Sequence, residues 1–196
     1  MDADGRVATP AERRAIARYV GWGALKGVFD KDSKQWAKEY AELRELLTDA
    51  EYKAARASTL NAHFTSPQVV NGIFQVLDRL GFKHGRVLEP SVGVGNFFGL
   101  MPAAMRKGSQ LHGVELDPLT SKIVAALYPS ARIAQATGFQ SYEVPGGYFD
   151  LAIGNPPFGS EPIVDDARSP YSGASIHNYF FAKSIDKLRP GGLLAM

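Results

Sequence analysis

The chain has no cysteine among its 196 residues. Disulfides, thiolate metal sites and cysteine nucleophiles are therefore excluded. Histidine is scarce as well. His63, His84, His112 and His177 never fall at the i, i+4 spacing that places two metal ligands on one helix face, so no histidine metal centre is expected. No apolar run approaches the ~18 residues of a membrane helix, and no membrane partner is expected. The N-terminus carries Asp2 and Asp4 and lacks an apolar stretch, which argues against a secretory signal and for a cytoplasmic protein. Charge of one sign is missing too. The formal net charge is +2, with acids and bases interspersed. Bulk electrostatics therefore do not point to nucleic acid, and any such contact must come from local patches or from further segments.

What remains is 45% hydrophobic, enough for one sizeable core with an attached helical segment. Residues 1–62 read as that segment. Ala15, Ile16, Tyr19 and Val20 recur at helical spacing after Pro10, and Gly21, Gly23 and Gly27 break the pattern. A second helix is predicted over Ser33 to Leu47, with Trp36, Tyr40, Leu43 and Leu47 on one face. Thr48 followed by Glu51 has capping-box form and opens a third. Ser66-Pro67 reads as an N-cap with a first-turn proline, starting a helix that runs to about Leu80.

From Gly85 the texture alternates. Strands are predicted at Val87–Glu89, Leu111–Glu115, Ala131–Ala134, Phe149–Ile153 and Leu193–Met196, with helices near 96–106, 118–127 and 176–188. Repeated strand–helix–strand order predicts an α/β fold, a Rossmann-like parallel sheet covered on both faces. Residues 63–196 form the second predicted domain. Pro190-Gly191-Gly192 reads as a turn before a strand that has only begun at Met196, so a fragment of something longer is expected, its sheet incomplete at the C-terminus.

Two motifs carry chemistry. The first is Leu88-Glu89-Pro90-Ser91-Val92-Gly93-Val94-Gly95-Asn96, at a strand-to-helix junction. Gly93 and Gly95 let the backbone turn tightly and come close to a ligand. Phe98 stands where a dinucleotide site would have a third glycine, which weakens a nicotinamide reading. An acid four residues before Gly93 is instead the S-adenosylmethionine pattern, with Glu89 as acceptor for the methionine ammonium group. Glu115 closes the next strand and suits ribose hydroxyls. Asp117 is the nearby alternative, with capping of a helix at Pro118 as its competing role.

The second motif is Asn155-Pro156-Pro157-Phe158, straight after the apolar strand Asp150–Gly154. In an open parallel sheet this is where ligands bind, beyond the carboxyl ends of the strands. The lone pair of an exocyclic amino nitrogen is delocalised into its ring, so it is a poor nucleophile. The Asn155 side-chain oxygen and the Pro156 main-chain oxygen can hold both N–H bonds and free that lone pair, an alignment that can supply several kcal/mol of a barrier. The two prolines stiffen the loop and add no donor. Phe158 offers a face for a base rotated out of a duplex.

In these motifs the sequence resembles the adenine-N6 DNA methyltransferases. Phe64-Thr65-Ser66-Pro67 resembles the family segment that precedes the glycine motif and helps hold the methionine end of the cofactor. Glu89 to Gly95 resembles its cofactor loop, and Asn155 to Phe158 its catalytic tetrapeptide, in the gamma order. Tyr19-Val20-Gly21-Trp22-Gly23, Leu60–Thr65 and Ile176–Phe180 are similar to segments of large phage- and plasmid-borne proteins that join a methylase-like domain to helicase regions and are linked to anti-restriction. The resemblance covers about Pro10 to Met196.

The resemblance implies Asn155, Pro156, Pro157 and Phe158 as catalytic residues. It implies Phe64, Thr65, Pro67, Glu89, Pro90, Gly93, Gly95, Glu115, Asp117 and Phe139 as binding residues for S-adenosylmethionine, with no metal. The partners implied are double-stranded DNA with the target adenine flipped out, and further domains or chains that supply target recognition and the rest of the sheet. One departure stands out: Thr137-Gly138-Phe139-Gln140 lacks the acid that the family places beside its aromatic to contact the cofactor adenine. The tetrapeptide alone also permits a protein glutamine or a ribosomal guanine as acceptor, and a non-catalytic cofactor-binding module is a third reading.

Other residues have plainer explanations. Trp22, Trp36, Tyr19 and Tyr40 at helical spacing read as core rather than base-stacking groups. His177 reads as a helix-start residue before a substrate contact, and Arg13, Arg14 and Arg18 as a solvated face before a phosphate clamp. Gly159 to Ser175 fits either a loop that closes over a substrate or an unstructured connection.

Overall fold

Five parallel strands form one sheet in the order β3-β2-β1-β4-β5. They are β1 (Arg86–Glu89), β2 (Gln110–Glu115), β3 (Arg132–Gln135), β4 (Phe149–Ile153) and β5 (Leu188–Ala195). The computed structural model describes residues 6–19, 21–59, 65–159, 162–166 and 169–196. The eight α-helices among them are α1 (Pro10–Ile16), α2 (Ala37–Leu46), α3 (Asp49–Ser58), α4 (Pro67–Arg79), α5 (Asn96–Leu100), α6 (Ala103–Arg106), α7 (Pro118–Leu127) and α8 (Ile176–Lys187). None is long and apolar enough to cross a membrane.

Strand side chains alternate between faces, and each face has its own core. Val87, Leu111, Leu151 and Ile153 pack with Val70 and Phe74 of α4, Phe97 and Phe98 of α5 and Val124 of α7. Leu88, Val114 and Ala152 pack on the other face with Phe139 and with Tyr179 and Phe180 of α8. A third cluster (Val28, Phe29, Tyr52 and Ala55) holds the N-terminal helices together, with Trp22, Trp36 and Tyr40 packed against it. The helices start where capping chemistry puts them. Thr48 and Glu51 form the expected reciprocal box, and Ser66 caps α4 through the Val69 N–H.

Three boundaries differ from expectation. The helix expected near 96–106 is two short ones, because Pro102 offers no N–H and holds Met101 extended. α2 begins at Ala37 rather than Ser33. The expected turn at Pro190-Gly191-Gly192 lies inside β5, which starts at Leu188. Phe149 pairs with Leu188 and Leu151 with Leu193, so β5 bulges, and Gly191 takes a positive φ of 77° there.

His112 sits within β2, 3% exposed. Its Nδ1 lies 3.0 Å from the Tyr142 hydroxyl, and its ring meets those of Tyr148 and Phe149 edge-on. Burial, aided by Arg132 and Arg86, holds its pKa down to about 4. An unfolded chain takes up this proton near pH 6.5 and the native one does not, so stability is lost as pH falls from about 6.5 towards 4. Glu89 and Glu115, whose carboxyl pKa values burial raises, act with the opposite sign. The difference between wild type and His112→Gln isolates the histidine. That difference in urea-unfolding free energy is expected to shrink by on the order of 2–3 kcal/mol between pH 7 and pH 4. A pH-independent difference would refute the assignment.

Candidate active site

β1 pairs with β4, Val87 opposite Leu151 and Leu88 opposite Ala152. The two strands therefore end side by side, and the segments that follow them meet. After Glu89 the chain turns through Pro90 to Gly95. The Val92 N–H donates to the Val114 carbonyl and the Gly95 N–H to the Val92 carbonyl, 2.9 and 2.8 Å. Gly93 and Gly95 take φ of 54° and 80°, where a side chain is strained. At Gly95 a Cβ would also run into the Tyr128 ring and meet Val124 at 3.1 Å.

The turn is stitched to its neighbours. The Gly93 N–H donates to Glu115 Oε2 at 2.8 Å, and the Asp117 N–H to Glu115 Oε1 at 2.8 Å. Asn96 Nδ2 donates to the Thr65 carbonyl at 3.4 Å. Ser91 Oγ donates to the Asn155 carbonyl at 3.1 Å, which ties the glycine turn to the tetrapeptide after β4.

These segments surround a cavity of about 640 Å³, within the usual range for ligand sites. Thr65, Glu89, Pro90, Gly93, Glu115, Asp117, Phe139, Asn155 and Pro157 line it. Other residues named from the sequence lie elsewhere. Gly95 and Pro67 support the wall from behind as the N-cap of α5 and the first residue of α4. Pro156 is buried and off the cavity wall. Phe158 is 55% exposed, its ring 5.4 Å from that of His177. Phe64 lies outside the described residues.

Three carboxylates give the cavity its character. Glu89 is 2% exposed, and its Oε2 has no hydrogen-bond partner among the described residues. Burial, with Glu115 nearby, pushes its pKa well above the usual carboxylate range. Glu89 lines the cavity, and a carboxyl with a buried, unpartnered oxygen beside it fits a cationic ligand group. Burial also raises Glu115, against the pull of its backbone donors. Asp117 fills the helix-capping role, its Oδ2 accepting from the Thr120 N–H at 2.7 Å. Its other oxygen, Oδ1, is buried without a partner among the described residues, and the residue lines the cavity as well. Both roles weighed for Asp117 are thus open to it. The described residues contain no group of His, Asp and Glu suited to a metal ion.

Several lining residues carried no signal in the sequence. Between Gly159 and Ser175 the described residues are folded. The Ile163 N–H donates to Ala174 O and the Gly173 N–H to Ile163 O, 3.1 and 2.9 Å, and Ile163 and Val164 reach the cavity. Lys183, 8% exposed, holds this strap from behind. Its Nζ donates to Gln140 O at 2.9 Å and to the Tyr179 hydroxyl at 3.0 Å, and lies 3.5 Å from Asp165 Oδ2. The Tyr179 hydroxyl donates to Asp165 in turn. Phe139 stacks at a tilt on Phe180, 5.3 Å between centroids, under the same ammonium group. Where the acid is missing after β3, Thr137, Gly138 and Gln140 form the wall instead.

The sheet order, with the cavity at its switch point, defines a Rossmann-like fold shared with methyltransferases of known structure. The methyltransferase subunit of a type I restriction-modification system from Streptococcus thermophilus superposes with a TM-score of 0.53 at 15% identity, covering 80% of this chain and 41% of that one. In sequence, the chain is similar to Defense against restriction protein B of Escherichia phage P1, 25% identical over 98% of this chain and 7% of the phage protein. It is also similar to the type II methyltransferase M.TthHB8I of Thermus thermophilus, 32% identical over 57% of this chain and 28% of that enzyme. The chain thus spans less than a third of either relative. No family model matches it.

Gly95→Ala places a Cβ against Tyr128 in a left-handed conformation. It is expected to destabilise the fold by roughly 1–3 kcal/mol, measured by urea unfolding. An unchanged midpoint would show that the turn is not held as described.

Proposed function

We propose that this chain is the cofactor-binding and catalytic part of a DNA adenine-N6 methyltransferase that uses S-adenosylmethionine. The observation that carries the reading is the Ser91–Asn155 hydrogen bond, which holds the tetrapeptide on the glycine turn, with Asn155 and Glu89 facing one cavity. The residues fit the cofactor. The unpartnered Glu89 Oε2 suits its ammonium group, the Gly93 turn gives close backbone approach, and Glu115 and Asp117 offer acceptors to a ribose diol. Phe139 provides a face for the adenine ring, with main-chain groups at Gly138 and Gln140 in place of the missing acid. Thr65 flanks the methionine end in this reading, with Pro67 behind it at the start of α4.

When bound, the cofactor supplies a methyl group on a sulfonium, electrophilic enough to need no metal. The chain's own residues handle the acceptor. The Asn155 side-chain oxygen, on the cavity wall, accepts one N–H of the adenine amino group, and the Pro156 carbonyl, buried off that wall, must turn towards the cavity to accept the other, which localises the nitrogen lone pair for in-line attack. Phe158, exposed at the rim beside His177, stacks on the extruded base, worth ~1–3 kcal/mol. The nitrogen gains the methyl group and loses one proton to solvent.

The Thermus relative's name as a type II methyltransferase supports a DNA acceptor over the glutamine and guanine alternatives. In this reading residues 63–196 form the cofactor domain and 1–62 an attached helical segment. Double-stranded DNA with its target adenine flipped out is the partner, and further domains or chains supply sequence recognition.

Asn155→Ala is expected to abolish methyl transfer from labelled S-adenosylmethionine to DNA, a loss of at least about 100-fold. Cofactor affinity by calorimetry should change little. Normal turnover by the variant sinks the reading. Parallel incubations with RNA and protein test the acceptor class, and label appearing only there refutes DNA.

A further inference from the structure

We propose that the helices before Thr65 wall off the nucleoside end of the cofactor site, so that Tyr19 and the last turns of α3 are binding residues for the adenosine moiety. The inference rests on the cofactor reading above and deepens it. Tyr19, Gly21, Ala54, Ala57 and Ser58 line the same cavity as Glu89 and Asn155, and they do so beside Asp117, Pro118 and Thr120 at the start of α7.

The placement is built by packing. α1 and α3 both pack on α7, and Lys122 Nζ lies 3.3 Å from Glu51 Oε1 across the α3–α7 contact. That ion pair is exposed enough to contribute little by itself, so the apolar contacts hold the wall. Ala54, Ala57 and Ser58 fall at i, i+3 and i+4, which puts three small side chains on one helix face. Their size leaves room next to α7 that longer side chains would fill.

The chemistry of this corner selects a polyol next to a ring. The Tyr19 hydroxyl lies near the Thr120 side chain, Asp117 and Glu115, and burial pushes its pKa up to about 12. It is therefore a neutral donor beside two carboxylates. Asp117 Oδ1 is buried there without a partner among the described residues. An Asp117 oxygen that needs a donor, a phenol and a floor of small side chains suit the diol and flat edge of a nucleoside. The methionine end is assigned to Glu89 at the glycine turn.

Only two tryptophans occur in the chain, and Trp22 lies edge-on to Tyr19, 5.9 Å between centroids. In a Trp36→Phe protein, Trp22 becomes the sole reporter of the wall. Two measurements test the proposal. Calorimetric titration of S-adenosylmethionine into Ala54→Leu should show affinity reduced on the order of tenfold from wild type, as overfilling a packed site predicts, with the ligand-free melting temperature unchanged. Titration of the Trp36→Phe protein should change Trp22 emission saturably at the calorimetric Kd.

If Ala54→Leu keeps its melting temperature, its Kd decides, and a wild-type value overturns the proposal. If that variant melts early, the Trp22 titration decides, and flat emission at saturation overturns it. A wild type that binds no S-adenosylmethionine at millimolar ligand overturns the cofactor reading and this inference together. Binding by wild type with either negative result overturns the inference alone.

Discussion

The parallel pairing of β1 with β4 is the constraint on which the cavity depends. Leu88 lies opposite Ala152, so Glu89 is level with Ile153, and the segment through Gly154 to Asn155 leaves the sheet beside the glycine turn. The chain then has to hold two irregular segments together without a ladder between them. One side-chain bond, Ser91 Oγ to the Asn155 carbonyl, does this directly. Glu115 does the same from the other flank by accepting the Gly93 N–H. The glycine turn is thus bonded to the strand ends on both sides, and its two left-handed residues are held by more than their own conformational freedom.

Much of this was legible from residue order. The five strands, the capping box at Thr48, the Ser66-Pro67 start of α4 and the positions of both motifs follow from local rules that act within a few residues. The misplacements have local causes as well. Pro102 splits a helix that apolar periodicity alone would continue, and the β5 bulge hides behind a Pro-Gly-Gly string that reads as a turn. What could not be read were the contacts between distant segments. Tyr19 has the periodicity of a core aromatic and yet borders the cavity, because α1 and α3 pack on α7, a fact set by three helices together. Lys183 carried no signal in the sequence. Its burial follows from the fold of the strap after Phe158, where Asp165 and the Tyr179 hydroxyl supply its partners.

The missing acid after β3 is a case where substitution in sequence leaves the architecture intact. Phe139 is held by Phe180 on one side and lies near the Lys183 ammonium on another. The carbonyl of Gln140 is pinned by that same ammonium, and the Thr137 N–H by the Glu115 carbonyl. The turn is therefore fixed by main-chain bonds at both ends and does not need an acidic side chain to hold its shape. An acid there would contribute specificity for the ligand, not order in the loop.

The buried charges divide along the same line. Lys183 is a buried cation with its partners in place, and burial lowers its pKa while Asp165 raises it. Its donors are used, which offsets part of the desolvation that burial imposes. Glu89 is the opposite case: a buried carboxyl with one oxygen unmatched and another acid nearby, its pKa pushed well up by desolvation. A structural role would have matched both oxygens, since an unsatisfied buried acceptor costs about 1–3 kcal/mol. In the proposed reading the ligand's cation supplies the missing charge and donors. The glycine turn, by contrast, is already organised by Glu115 and Ser91 without a ligand. The cavity thus combines a preformed cradle with two acids, Glu89 and Asp117, that each keep a buried oxygen unmatched among the described residues, a combination that a well-packed loop would not carry.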